Sequence, residues 1–88
     1  MAWRVEFTPV AAKQLRKLDR EIARRIASSL QDLLTDCDDP RQRGKPLTAN
    51  LAKLWRYRVG DHRVICQIED ARLLVLVVRV AHRSAAYD

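Results

Sequence analysis

The chain has 88 residues, enough for one compact domain, and its 48% hydrophobic content supports a modest core, which excludes a disordered chain. Seventeen Lys and Arg against 11 Asp and Glu give a net charge of +6 and an isoelectric point near 10.0, so the expected partner is a polyanion. No apolar run approaches the roughly 18 residues of a membrane span, and the opening MAWRVEFTPV lacks the charged-then-apolar layout of a signal peptide, which points to a soluble, cytoplasmic protein.

Residues Trp3 to Phe7 alternate and predict a short strand. Thr8-Pro9 supplies an N-cap followed by proline at the first helical position, and Ala11, Leu15 and Leu18 then form one apolar stripe. Asp19 can cap a second helix, in which Ile22, Ile26, Leu30, Leu33 and Leu34 repeat at helical spacing. Its opposite face carries Arg24, Arg25, Ser28 and Gln31, read as solvated, and the run Asp36, Asp38, Asp39 before Pro40 ends it. So short a link predicts an antiparallel helical hairpin lying over a sheet. Arg41 to Lys53 reads as a polar connection with Gly44 and Pro46. Three strands follow, Leu54–Val59, Arg63–Ile68 and Leu73–Val80, with turns at Gly60-Asp61-His62 and Glu69-Asp70-Ala71-Arg72. The run LLVLVV has no polar alternation and is expected to be central and covered on both faces. The expected fold is a single α+β domain over residues 1–88, in the order β-α-α-β-β-β, with the helical hairpin packed on a mainly antiparallel sheet.

Cys37 sits in the acidic TDCDDP and Cys66 in an apolar strand; neither has a CxxC partner or a His at zinc-site spacing, so idle thiols are expected and no metal or cofactor. Thirteen of the 17 cations are Arg, whose planar fork matches phosphate. Residues 1–44 carry nine basic and seven acidic groups (+2), while residues 45–88 carry eight and four (+4), which places the anion site in the C-terminal half.

In LWRYRVGDHRVICQI, alternation sets Trp55, Tyr57 and Val59 on one face and Arg56 and Arg58 on the other, roughly 6.6 Å apart at about 3.3 Å per residue. In the next strand Val64, Cys66 and Ile68 suit the core, leaving Arg63, Ile65 and Gln67 on the arginine face. Arg79 ends the last apolar run and Arg83 follows it; Lys45 and Lys53 add cations from the connection. An isolated pair such as Arg56 and Arg58 would read as solvated charge that discourages edge pairing. Four or five arginines with almost no acids between them read better as an anion site. His82 and Tyr87 flank the cluster and can move protons, although a lone tail His is more often polar surface and a terminal Tyr more often an anchor. His62 reads as a turn residue.

These residues also carry a resemblance. KPLTANLAKLWRYRVGDHRVI, a hydrophobic strand, VAHRSAAY and the opening VEFTPVAAKQLRKLD resemble the RelE/ParE superfamily, specifically RelE-type toxins of bacterial toxin–antitoxin systems, over essentially the whole chain. The resemblance implies a metal-independent endoribonuclease that cuts messenger RNA in the ribosomal A site, the 2′-hydroxyl attacking the adjacent phosphate. It implies Arg56, Arg58, Arg63, Arg83 and Tyr87 as catalytic residues; beside these, this chain's own residues offer His82 as a further catalytic candidate and Lys45, Lys53, His62 and Arg79 as RNA-binding ones. It further implies ribosome and messenger RNA as partners, and a RelB-like or other antitoxin in a hetero-oligomer. The chain departs from many relatives in having His62 for Tyr, Lys53 and Ala81 for Gly, and Ser84 for a second basic residue. Two other functions compete: a ParE-like inhibitor of DNA gyrase that cuts no RNA, and an inactive nucleic-acid-binding module.

Overall fold

A computed structural model of the protein describes residues 3–35, 37–47 and 54–82. Its elements are β1 (Arg4–Phe7), α1 (Pro9–Arg16), α2 (Arg20–Thr35), β2 (Lys45–Pro46), β3 (Leu54–Val59), β4 (His62–Glu69) and β5 (Leu74–His82), with 3₁₀ turns at Pro40–Arg43 and Asp70–Arg72. The five strands form one sheet in the order β1-β5-β4-β3-β2, antiparallel except where β1 runs parallel to β5. This is the expected α+β arrangement with one added strand.

Local chemistry explains where the helices begin. Thr8 caps α1 by accepting the Ala11 N–H at 3.1 Å, and Pro9 follows where no N–H is needed. Asp19 accepts the Glu21 N–H at 2.9 Å at the start of α2. α1 packs on β5 and β1, and α2 on β1 and β3. Both bury their apolar stripes against one sheet face, where Val5, Phe7, Tyr57, Val59, Val64, Cys66, Val75, Val77 and Val80 meet Ala11, Ile26, Leu30 and Leu34. Ile26, Leu30 and Leu34 are at most 1% exposed, each contributing about 1.5–3 kcal/mol of hydrophobic burial. Ile22, expected on the same stripe, is half out of it at 37% exposure. Cys37 and Cys66 are free, buried thiols in this core.

Four expectations require correction. The connection after α2 contains a strand, β2, paired to β3 through Lys45–Arg56 and Pro46–Trp55. The hairpin turn is Gly60-Asp61 alone: Gly60 takes φ +57°, as the first position of such a two-residue turn demands, and His62 opens β4 opposite Val59. β5 starts at Leu74 because Leu73 adopts a left-handed conformation (φ 48°) that closes the preceding 3₁₀ turn. The LLVLVV run is interior but not central, since β4 holds the middle of the sheet. It is covered on both faces at its start, where Leu74 and Val75 point opposite ways and are at most 1% exposed.

Among the described residues, no helix is long and apolar enough to cross a membrane.

Candidate functional site

The sheet face away from the helices is built by register. Lys45 on β2 stands opposite Arg56 on β3, Arg56 opposite Ile65 on β4, and Ile65 opposite Arg79 on β5. In the adjoining row Arg58 faces Arg63, which faces Ala81. Five cations thus share two neighbouring rows of one face, with Cβ atoms of opposed residues about 4.5–5.5 Å apart. Like charges directly opposed, as Arg58 and Arg63 are, destabilise a ladder. Such a pairing is chemically useful where an anion is to be held between the two side chains. Ile65 is only 6% exposed although it lies on this face, its neighbours across the ladder being the aliphatic stems of Arg56 and Arg79.

Arg79 reaches this face through a β-bulge. Counting by twos from Val75 and Val77 would turn Arg79 into the core. Instead Ile65 pairs with Arg79 while Cys66 pairs with Val77, so Val78 is an extra residue and everything after it changes face. The helical layer secures this part of β5. β1 ends at Phe7, opposite Val77, and beyond it Gln14 of α1 accepts the Val80 N–H at 2.7 Å. A helix side chain thereby substitutes for a missing strand.

A second construction borders the cations. The 3₁₀ turn Pro40–Arg43 and Gly44 fold over the edge of β3, and with Lys45, Arg56, Arg58 and Arg63 the segment from Gln42 onward encloses an open cleft of about 290 Å³. The turn is tied down on several sides. The Tyr57 hydroxyl donates to the Pro40 carbonyl at 2.8 Å inside the core. Arg41 grips Asp70 with both terminal nitrogens, at 2.7 and 3.1 Å, and also reaches Asp39 at 3.1 Å. A Cβ on Gly44 would stand 2.9 Å from the Arg56 carbonyl oxygen and 3.0 Å from the Tyr57 ring, so only glycine allows this approach. On the far side of the cleft, Arg58 Nε donates to the Gly60 carbonyl at 3.4 Å, which directs its guanidinium along the hairpin.

Burial pushes the Tyr57 phenol well above its ordinary range, so this tyrosine stays a protonated donor to Pro40. Burial likewise raises the Cys66 and Cys37 thiols, leaving both inert. The Arg41 hydrogen bonds hold the Asp70 carboxyl below its usual value.

The structure therefore brings together Lys45, Arg56, Arg58, Arg63 and Arg79. It sets His62 and His82 apart from them. Both histidines lie on the helix-covered face, opposed in the register, with ring centroids 5.3 Å apart and edge to face. His62 is 8% exposed and borders α2 residues Ile22 and Ile26, so it is a strand residue of the core margin and not a turn residue. Lys53, Arg83 and Tyr87 lie outside the described residues. Gln42 and Arg43 of the cleft wall were not anticipated; the clue was Gly44 just after them, which marks a close backbone approach. Gln14 gave no signal in the sequence.

Residues 5–87 match the family described as the ParE toxin of type II toxin–antitoxin systems (parDE). The protein named Toxin RelE of Mycobacterium tuberculosis is 34% identical over 85 residues, spanning 97% of this chain and 86% of that one. Toxin RelG of the same organism is 34% identical over 88 residues, spanning 99% and 98%. Among solved structures, the toxin–antitoxin complex RelBE2 of Mycobacterium tuberculosis contains a chain that superposes with a TM-score of 0.82 at 32% identity, covering 96% of this chain and 94% of that one.

Proposed function

Because the chain belongs to the ParE toxin family of type II toxin–antitoxin systems, as a RelE-type member, we propose that it is an endoribonuclease that cuts messenger RNA in the ribosomal A site and so stops translation. The observation that carries this reading is the set of five cations, Lys45, Arg56, Arg58, Arg63 and Arg79, on one sheet face beside a cleft.

The chemistry asks little else of the protein. The 2′-hydroxyl oxygen bonds to the adjacent phosphorus as its proton is withdrawn, the bond from phosphorus to the 5′-oxygen breaks, and a proton joins that leaving oxygen. The products are a 2′,3′-cyclic phosphate and a free 5′-hydroxyl. Negative charge grows on the non-bridging oxygens of the intermediate, and preorganised guanidiniums stabilise it; one such contact is worth about 2.7–4 kcal/mol. Arg63, Arg58 and Arg83 take that role here, with Arg56, Lys45, Lys53 and Arg79 positioning the RNA backbone. Proton transfer, worth roughly 10²–10⁴ in rate, falls to Tyr87, because His82 stands on the opposite face beside His62. Chemistry of this kind needs no metal ion. A cognate antitoxin of the RelB kind, as in the RelBE2 complex, would cover the cationic face with an acidic or amphipathic segment in a hetero-oligomer, and the free toxin would act on cytoplasmic ribosomes.

Purified protein added to ribosomes programmed with messenger RNA should yield A-site cuts bearing 2′,3′-cyclic phosphate ends. If about four phosphates are contacted, single-strand affinity should fall with a log–log salt slope near −3. Intact messenger alongside stalled gyrase–DNA complexes would overturn the reading in favour of a gyrase inhibitor.

A further inference from the structure

Two polar side chains of the cleft remain without a role in that chemistry. Gln42 and Arg43 sit on the 3₁₀ turn that walls the cleft, directly before Gly44 and Lys45. The turn is short and buries only Pro40, and it is fixed by the Tyr57–Pro40 hydrogen bond, the Arg41 fork on Asp70 and the contact of Gly44 with β3. Gln42 is committed through its backbone, whose N–H donates to the Asp39 carbonyl at 3.0 Å, and its side-chain amide makes no hydrogen bond among the described residues. An amide with both donor and acceptor uncommitted is thus presented, from a fixed backbone, at the rim of a cleft otherwise bordered by cations. The contrast with Gln14, whose amide is consumed by the Val80 N–H, is direct.

Cleft volume and chemistry select the ligand. About 290 Å³ lies just below the roughly 300–1,000 Å³ of small-ligand sites. The cations, Arg43 among them, suit a phosphate. The Gln42 amide suits the edge of an unpaired base, since single-stranded RNA is read by hydrogen bonds to splayed bases. Glutamine pairs in bidentate fashion with adenine N6 and N7.

We propose, building on the nuclease reading, that this cleft seats one nucleotide of the single-stranded message. Arg43 contacts its phosphate, and Gln42 reads its base with a preference for adenine. Phosphate contacts carry no sequence information and base contacts do, so the two residues should separate in experiment.

The test compares the full-length wild type with Gln42→Ala and Arg43→Ala. Cut sites are mapped on ribosomes carrying a message of mixed sequence. In parallel, 2′-deoxy trinucleotides that differ only in the central base, and that cannot be cut, are titrated into the protein by NMR. The wild type should enrich adenine at one fixed position relative to the cut about tenfold, within the range for a bidentate base contact. Gln42→Ala should abolish that enrichment, whereas Arg43→Ala should lower cutting by about tenfold at all sites alike. A cut pattern and trinucleotide affinities that Gln42→Ala leaves unchanged would overturn the inference while the nuclease reading stands. If the wild type leaves the message intact, the nuclease reading fails and the titration alone decides. Adenine-selective binding that is lost in Gln42→Ala then supports the cleft, and base-indifferent binding overturns it.

Discussion

Arg41 and Arg63 lie at opposite ends of the β3–β4 meander and are held in opposite ways. Arg41 forks onto Asp70 and touches Asp39, and near it Arg72 reaches Glu69 at 3.2 Å, so the charges at that end are matched by carboxylates. Arg63 stands across the ladder from Arg58, one row from Lys45 and Arg56, with no carboxylate at any of these opposed register positions. The same side-chain type closes a turn at one end and accumulates positive charge at the other. The neighbours differ: Asp39, Glu69 and Asp70 stand at the two 3₁₀ turns, and the ladder sets cation beside cation around Arg63. The stabilising ion pairs are also not idle with respect to the cleft, since the turn fixed by Arg41 forms its wall.

This division predicts that the two ends respond differently to mutation. Arg63→Ala should reduce ribosome-dependent cutting by about 10²–10³, the size of one transition-state donor, while the thermal midpoint changes little, because Arg63 lies on the sheet face away from the helices. A large fall in the midpoint with cutting retained would make this face structural and erase the distinction. Next in size is Tyr57→Phe, which strands the Pro40 carbonyl in the core. The expected loss is about 1–3 kcal/mol, or a fall of about 4–8 °C per kcal/mol in a domain of this size. Cutting should fall with it only as far as the turn moves.

A third test uses pH. The buried Cys66 thiol is raised far above its ordinary value of 9.0, and the Tyr57 phenol above 10.0. Raised acidic groups leave stability intact below their unfolded values, since both states are then protonated. Above pH 9 the unfolded chain releases protons that the folded one keeps, so stability declines as pH rises. Cys66 alone should remove about 1.4 kcal/mol by pH 10, and Cys66→Ala should flatten the decline seen in chemical denaturation.

Much of this arrangement could be read in the sequence. Strict alternation in LWRYRV gave β3 to the residue and separated Tyr57 and Val59 from Arg56 and Arg58. Thr8-Pro9 placed the start of α1. Those features are local, and period and capping chemistry report them directly. What escaped was set by distant neighbours. β2 is two residues long and includes a proline; it exists because Gly44 lets the chain lie against the Arg56 carbonyl. Alternation alone would have buried Arg79, and the extra residue Val78, which no pattern within LLVLVVRV announces, brought it to the cationic face. His62 looked like part of a turn because Gly60 and Asp61 precede it, but its pairing with Val59 and His82 makes it a strand residue on the other face.

Gln14 tests how the bulge in β5 is held. Gln14→Leu removes the acceptor of the Val80 N–H beyond the end of β1, a partly exposed bond whose loss should cost about 1 kcal/mol. The β5 segment from the bulge to His82 should loosen, seen as faster amide exchange at Val80 than at Val75, and cutting should fall because Arg79 sits in that segment. Gln14→Glu keeps an acceptor and should restore both. Equal exchange in all three proteins would show that the bulge is held by the strands alone.

The smallest effect is expected where ion pairs are most numerous. Arg41→Lys keeps the charge and loses the fork onto Asp70, and because Asp70 is exposed and Arg41 only half-buried the midpoint should drop only slightly, less than in any variant above. The interaction holds the Asp70 carboxyl below its ordinary value of 3.8, so whatever it contributes is present above that pH and lost as pH falls below it. The difference between wild type and Arg41→Lys should therefore shrink in acid, and also in high salt, which screens exposed charges. Cutting should decline modestly, through the turn that carries Gln42 and Arg43. An Arg41→Lys protein as inactive as Arg63→Ala, yet as stable as the wild type, would put Arg41 in the chemistry and end the contrast between the two arginines.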